Sequence, residues 1–389
     1  MNSELLLDIA RDWSYWDRAP AASTARKLDL PAELRSELAL VIQGVRRCGK
    51  STLLSQMPKR YRLDRQKCLF VNFEDPRLSG SLDAAMLRAM VDAFDAWRGK
   101  GCTFFFDEVQ VVEGWQAFLR SELDRKTGRT FVVTGSNAHL LSGEVASKLT
   151  GRNLKVELYP FDLDEYRSLK PKASVENYLH DGGFPGPLAT EDADRLRASY
   201  FNDIVERDVR ERVAARSSQP LRRLAQMLFE SSGSELSLRR AAAALGVAVD
   251  TVSLYVDAIE DAYLAFACPF FSWSERKRSV RNKKWYPVDP GLRRVVVTQT
   301  GKDLGKSLEC AVYLSLRRKF GEVSYWRGRG EVDFVVLRDG KPLPVQVAWK
   351  GPEPRHERAL EEFYGEHAGA QEALFVTAST FEDFEAELE

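Results

Sequence analysis

The 389-residue sequence predicts an α/β fold: a parallel sheet flanked by helices, followed by further helical and strand-bearing segments. Three observations carry that expectation. Short apolar runs alternate with helix-length stretches over the first part of the chain. One run leads into Gly-Val-Arg-Arg-Cys-Gly-Lys-Ser at 44–51, which fits G-x-x-x-x-G-K-S/T at every fixed position. Another run closes in the carboxylate pair Asp107-Glu108. Hydrophobic residues make up 44% and charged residues 29%, the globular range, and the length suggests two or three domains at about 150 residues each.

Composition also excludes several classes. Lys plus Arg and Asp plus Glu both count 57, so the chain has no net charge with which to coat DNA nonspecifically, although a zero sum says nothing of where the charges lie. No window holds ~18 apolar residues free of charge, so no membrane partner is expected. Glu4, Asp8 and Asp12 accompany the first apolar run without a basic n-region, which argues against a signal peptide. Cys48, Cys68, Cys102, Cys268 and Cys310 are odd in number and scattered, which suggests a reducing cytoplasm. The four histidines are equally dispersed, so neither a zinc site nor a His-based nucleophile has support.

Taken in order, 38–42 is an apolar strand and 51–57 opens a helix, the context a phosphate-binding loop requires. Gly44 and Gly49 let the backbone curl so that N–H groups and the helix N-terminus face phosphate oxygens. Lys50 would reach the β and γ phosphates, and Ser51 would help hold Mg²⁺. Arg46, Arg47 and Thr52 complete the nucleotide-contact candidates; the competing reading of the two arginines is a solvent-facing pair. Cys48, between cations, could have a lowered thiol pKa and be a redox brake, against the plainer reading of a small residue tolerated in the loop. Residues 67–72 read as the next strand and 82–97 as a helix. After the run 102–106, Asp107 is placed to orient Mg²⁺ and Glu108 to polarise water as a general base, although two carboxylates at a strand end could instead cap a helix. Residues 115–125 read as helix and 130–137 as a strand ending in small polar residues, with Asn137 able to reach the γ-phosphate or the lytic water.

These residues, together with Asn72-Phe-Glu-Asp75, Phe106-Asp-Glu-Val-Gln110, Thr134-Gly-Ser-Asn137, Leu149-Thr-Gly-Arg152, Leu158-Tyr-Pro-Phe161, Glu165-Tyr166 and Gly182-Gly-Phe-Pro185, carry a resemblance. The chain is similar to a bacterial and archaeal group of AAA-superfamily ATPases that pair an ATPase module with a C-terminal endonuclease-like domain. The resemblance implies ATP and Mg²⁺ as cofactors and a homo-oligomeric ring, by analogy of six subunits. It also implies Arg152 as an arginine finger completing a neighbour's site. The alternative for Arg152 is a surface arginine paired with a local carboxylate. A helical lid is expected over 166–219, where Arg207 could sense nucleotide or simply pair with Asp208.

Residues 238–259 have helix, glycine turn, helix spacing, with Asp250 as an N-cap and Val252, Tyr255, Val256 and Ile259 on one face. This reads as a winged helix. No Lys or Arg occurs between 247 and 272, so the second helix is read as a packing element and not a groove reader. From 273 to 294 eight basic residues (Arg276, Lys277, Arg278, Arg281, Lys283, Lys284, Arg293, Arg294) face two acids, a net of +6. Two strands, 264–271 and 284–288, would make 274–283 a projecting basic wing. Arg276, Lys277, Arg278, Arg281 and Lys283 are its DNA-contact candidates. A solvated hairpin, or an anchor on an acidic neighbour, is the competing reading.

The last segment reads helix 303–320, strands 322–326, 331–337 and 343–349, helix 355–367 and strand 373–376. That order resembles the restriction-endonuclease-like fold, and the carry-over places its site at Glu309, Asp333 and Gln346. The lysine position is Ala348 and one carboxylate is the neutral Gln346; Lys350 would project from the same strand face about 7 Å further on. A nuclease-derived domain without cleavage is therefore expected. The tail from 351 holds eleven acids and two arginines, a net of −9.

The expected organisation is an N-terminal helical segment (1–35), a P-loop ATPase core (36–165), a helical lid (166–219), a winged helix with a basic wing (220–297) and an endonuclease-like domain (298–389). The expected function is an ATP-hydrolysing ring motor acting on branched or duplex DNA in repair, recombination or defence. The alternative is a nucleotide-dependent switch that binds a protein partner.

Overall fold

The computed structural model describes residues 3–388 apart from 18, 79, 81, 137, 139–148, 150, 216 and 299–302, with side chains from residue 8 onward. The chain divides into two compact units, Met1–Leu158 and Tyr159–Glu389.

The first unit is built on a parallel sheet of β1 (Ala39–Gln43), β2 (Cys68–Asn72), β3 (Thr103–Asp107), β4 (Thr130–Gly135) and β5 (Asn153–Glu157), in the order β2-β3-β4-β1-β5. Every residue of β1 and β3 is buried, which explains why these strands read as unbroken apolar runs. Rings carry the interior: Phe70 stacks on Phe105 at 4.3 Å, and Phe104 stacks on Phe131 at 5.3 Å. Edge strand β5 is half exposed, and its polar Asn-Leu-Lys-Val-Glu sequence gave no strand signal. Because all pairings are parallel, Gln43, Asn72, Asp107 and Gly135 finish at one edge of the sheet. Helices α2 (Lys50–Arg60), α3 (Ala84–Arg98) and α4 (Trp115–Arg125) connect the strands, and Asp83 caps α3 by accepting from the Met86 N–H at 2.8 Å.

The expected helical segment 1–35 is helical only over α1 (Ser3–Trp13). The indoles end it by docking elsewhere: Trp13 Nε1 donates to Asp75 at 2.8 Å and Trp16 Nε1 to the Cys68 carbonyl at 2.7 Å. Beyond Pro20 the chain is extended and lies along α2, where Gln56 donates to Ser23 Oγ and the Thr24 carbonyl. No apolar period spans 19–30 to favour a helix.

The second unit begins with α5 (Leu163–Leu169), α6 (Val175–Asp181), α7 (Pro185–Leu188) and α8 (Ala193–Asp203), the last continuing as a π-helix, Ile204–Val209, on which Arg207 is exposed. Capping boxes at Asp162 and Ser174 start the first two. Next come α9 (Gln219–Glu230), β6 (Glu235–Leu236), α10 (Leu238–Leu245) and α11 (Val249–Asp261). Ala248, not Asp250, is the N-cap of α11; Asp250 lies in the first turn, where its charge still suits the helix N-terminus. Val252, Val256 and Ile259 are buried as expected, and Tyr255 is half-buried.

Strands β7 (Ala265–Cys268) and β8 (Lys283–Pro287) join β6 in an antiparallel sheet of order β6-β8-β7. The expected extended tip at 274–283 is instead interrupted by helix α12 (Glu275–Ser279), whose Glu-Arg-Lys-Arg run favours helix over strand. A short helix α13 (Pro290–Val296) follows, capped by Asp289.

The chain ends with α14 (Leu304–Phe320), β9 (Ser324–Arg327), β10 (Glu331–Arg338), β11 (Lys341–Val347), α15 (Pro354–Glu366), β12 (Leu374–Val376) and α16 (Phe381–Leu388). The sheet order is β12-β11-β10-β9, antiparallel except for the β11–β12 pair. Helix α16 was not expected; Phe381 and Phe384 bury one side of it.

Candidate functional site

The loop at 44–49 turns under tight steric control. A Cβ on Gly44 would stand 2.0 Å from the Leu158 carbonyl oxygen, so only glycine fits. Gly49, at φ 103°, is the N-cap of α2. Lys50 follows, 4% exposed; its ammonium donates to the Gly44 and Val45 carbonyls at 3.1 and 3.3 Å and lies 3.5 Å from Glu108. This holds the cation at the loop mouth.

Across the loop, the strand ends converge on Asp107. One of its oxygens accepts from Ser51 Oγ at 2.5 Å and from Asn72 Nδ2 at 3.4 Å; the other accepts from Thr134 Oγ1 at 2.5 Å. The Thr134 hydroxyl also accepts from the Glu108 N–H at 3.1 Å, tying β4 to the carboxylate pair. Glu108 adopts φ 53°, a left-handed conformation uncommon for such a side chain, and Gln110 Nε2 donates to its carboxylate at 2.6 Å.

Environment separates the two acids. Burial, with the charge of Glu108 beside it, pushes the Asp107 pKa up against the pull of Ser51, Thr134 and Lys50. Burial also acts upward on Glu108, but Lys50, Gln110 and Arg46 outweigh it and hold that carboxyl below its ordinary range. Glu108 is therefore ionised at neutral pH, the state a general base needs. The glycine cradle, the buried lysine and the facing Ser51–Asp107 pair fit a nucleotide with Mg²⁺.

Arg46 is paired through both guanidinium nitrogens with Glu74, at 3.2 and 3.0 Å. Arg47, at φ 72°, and Thr52 are exposed. Cys48 is fully buried and donates to the Leu158 carbonyl. Burial raises its pKa in spite of Lys50 and Arg26, the reverse of the lowered thiol pKa on which the redox reading rested. Arg152 precedes β5 beside Ala39, at the amino ends of the strands opposite Asp107, and is ion-paired with Asp124. Asn137 lies outside the described residues.

Sequence reasoning missed Thr134 and Glu74 as individual contacts, although both sit in the motifs quoted above. It also missed Arg26, whose guanidinium donates to the Cys48 carbonyl at 2.9 Å from a segment with no motif of its own.

The basic segment is less available than its count suggested. Lys284 and Arg293 are 1% and 2% exposed, and Arg293 is paired with Asp303 at 3.1 Å. Arg294 donates to Asp194 at 3.0 Å, and Arg278 pairs with Glu322. Arg276, Lys277, Arg281 and Lys283 are exposed, beside Trp273 at 66% and Val280 at 77% exposure.

At the C-terminal site, Asp333 accepts from the Val347 N–H at 2.8 Å. Buried Gln346 accepts from the Asp333 N–H at 3.4 Å and donates to the Glu331 carbonyl at 2.9 Å. Glu309, on α14, accepts from Tyr286 Oη at 2.7 Å. Lys350 does not join them: β11 ends at Val347, the chain bends, and the strand alternation that would bring the lysine alongside Gln346 is lost, leaving Lys350 exposed. The lysine that does reach the carboxylates is Lys284 of β8, 2.5 Å from Glu331 and 4.0 Å from Glu309. Burial and the nearby Glu309 push the Asp333 pKa up.

A phosphate loop on a parallel sheet with an acidic strand end is the architecture of a P-loop nucleotide-binding domain of AAA type, and residues 36–167 match the AAA domain family. Residues 172–303 and 304–387 match two domains of unknown function, DUF8612 and DUF4143. An uncharacterized protein of Methanocaldococcus jannaschii, MJ1544, is 30% identical over 363 residues, covering 86% of this chain and 80% of that protein, and the chain belongs to its family. An uncharacterized protein of Haemophilus influenzae is 29% identical over 336 residues, 82% of this chain and 84% of that one. Among solved structures, replication initiator DnaA bound to AMPPCP and single-stranded DNA aligns over 58% of this chain and 82% of its own, with 16% identity and a TM-score of 0.28, a likeness too weak to argue from. Among the described residues no single helix is long and apolar enough to cross a membrane.

Proposed function

We propose that this protein is a Mg²⁺-dependent ATPase that works as a homo-oligomeric ring, by analogy a hexamer, on DNA. The observation that carries the ATPase reading is the convergence of Lys50, Ser51, Asp107, Glu108 and Thr134 at one sheet edge. Bound Mg·ATP would supply the phosphoryl group and the metal charge that stabilises its transfer. Lys50 would hold phosphate charge, Ser51 and Asp107 would hold the metal, and ionised Glu108 would accept a proton from a water placed beside it. Gly44, Arg46, Arg47, Gly49 and Thr52 would shape and line the loop, and Asn137 keeps, from its motif alone, the expected role of orienting the water. Arg152 lies at the strand ends opposite the loop and is ion-paired with Asp124, the arrangement its alternative reading expects; as a finger it would serve a neighbour's nucleotide and would have to leave that pair.

The domain reading is a P-loop core, a helical lid, a winged helix and an endonuclease-like domain without cleavage. Support for the winged helix is the order α9, β6, α10, α11, β7, β8 with its three-stranded sheet. DNA is contacted by the exposed Arg276, Lys277, Arg281 and Lys283, with Trp273 beside them.

The second reading, a nucleotide-driven switch on a protein partner, is favoured by the internal pairing of Arg278, Lys284, Arg293 and Arg294, which leaves half of the basic segment for a ligand. ATPase turnover with linear, forked and four-way DNA separates the two. A motor is stimulated by DNA, and replacing the four exposed basic residues with alanine abolishes the stimulation and lowers the log–log salt slope by about 0.9 per lost phosphate contact. A switch ignores DNA and changes its oligomeric mass on ATP binding.

A further inference from the structure

The endonuclease-like reading of the C-terminal domain brings with it a divalent cation at Glu309, Asp333 and Gln346. The residues present do not fit one. Among the described residues no group of three or more His, Cys, Asp or Glu side chains is disposed to hold a metal ion. Instead an ammonium group stands among the carboxylates: Lys284 Nζ is 2.5 Å from Glu331 and 4.0 Å from Glu309, and the lysine is 1% exposed.

Two further contacts close the site. Tyr286, from the same strand as Lys284, donates its hydroxyl to Glu309 at 2.7 Å. The turn before β6 lies on the same carboxylate: a Cβ on Gly233 would meet the two Glu309 oxygens at 2.7 and 2.8 Å. Both contacts come from the three-stranded sheet and the turn that leads into it, so these elements lie directly against the Glu309 and Glu331 side chains. Gln346 spends its amide on the backbones of Asp333 and Glu331.

We propose that Lys284 is the built-in cation of this cluster, standing where a divalent metal would otherwise bind, so that Glu331 and Glu309 form an ionic joint to β8 beside Asp333 and the domain neither binds Mg²⁺ there nor cleaves DNA. Burial alone would drive the ammonium to lose its proton, but the three carboxylates outweigh it and keep Lys284 charged. Removing that charge leaves acids crowded together, a condition that a dication relieves.

The test is Mn²⁺ titration of the full-length, nucleotide-free protein, read by electron paramagnetic resonance of free Mn²⁺. Wild type and Asp333→Asn should bind alike, showing no Asp333-dependent site up to millimolar metal. Lys284→Met should gain a site at least tenfold tighter than any in wild type, lost again when Asp333→Asn is added. Asp333-dependent Mn²⁺ binding by wild type, or a folded Lys284→Met that binds no more metal than wild type, overturns the proposal. So does Mn²⁺-dependent nicking of DNA by wild type that disappears in Asp333→Asn. If Lys284→Met does not fold, the comparison of wild type with Asp333→Asn decides alone.

Discussion

Two lysines in this chain face clustered carboxylates, and they lie in opposite surroundings. Lys50 is carried on a glycine loop at the open end of a parallel sheet, with exposed Arg47, Ser51 and Thr52 as neighbours; its loop contacts are carbonyl oxygens, which an incoming phosphate can replace. Lys284 is carried inside an antiparallel strand and buried, with its charge committed to Glu331. The same pair of residue types thus makes a ligand site in one place and a joint in the other. What decides is whether the backbone beside the lysine is open and donor-rich or already filled by other elements.

The contrast is broken most severely at the lysines themselves. Lys50→Met should lower ATP turnover by about a hundredfold or more, since a preorganised charge at the phosphate is lost. Lys284→Met should leave turnover per folded molecule intact and lower unfolding stability by about 3–5 kcal/mol, the range for removing one partner of a buried ion pair. Turnover and denaturant unfolding on both variants check this; equal loss of turnover in both would merge the two sites into one.

A smaller effect comes from a buried acid elsewhere in the second unit. Glu385, on α16, accepts from Ser315 Oγ at 2.6 Å and the Leu163 N–H at 3.3 Å, with Arg318 at 4.0 Å. Burial pushes its pKa up from 4.5 to about 7, against the partial pull of Arg318 and Ser315. The folded state therefore holds the proton more tightly than the unfolded one, so stability from this group is full below pH 4.5 and is lost as pH rises to about 7, by at most about 3 kcal/mol. Unfolding measured from pH 4 to 8 should lose that slope in Glu385→Gln; an unchanged slope would assign it to other groups.

The two sites also differ in how far they could be read from the sequence. The phosphate loop is local: its spacing dictates its geometry, and Lys50, Ser51, Asp107 and Glu108 meet as their motifs imply. Thr134 escaped because a hydroxyl on a neighbouring strand has no spacing relation to Asp107; only parallel pairing makes them adjacent. The C-terminal site was legible as strands and acids, but its lysine was sought along β11 at Ala348 and Lys350. Lys284 is 47 residues before Glu331 and reaches it through the packing of two sheets, which no local pattern encodes. The basic segment was overcounted for a related reason. A count of charges along the chain does not see that Arg293, Arg294 and Lys284 point into their own fold.

The most direct test of the account is steady-state Mg·ATP hydrolysis by the full-length protein and its Glu108→Gln variant, with nucleotide affinity measured in parallel. Loss of the ionised base should lower turnover by about 10²- to 10⁴-fold while ATP still binds. Unchanged hydrolysis in Glu108→Gln, or no ATP binding by the wild-type chain, would contradict it.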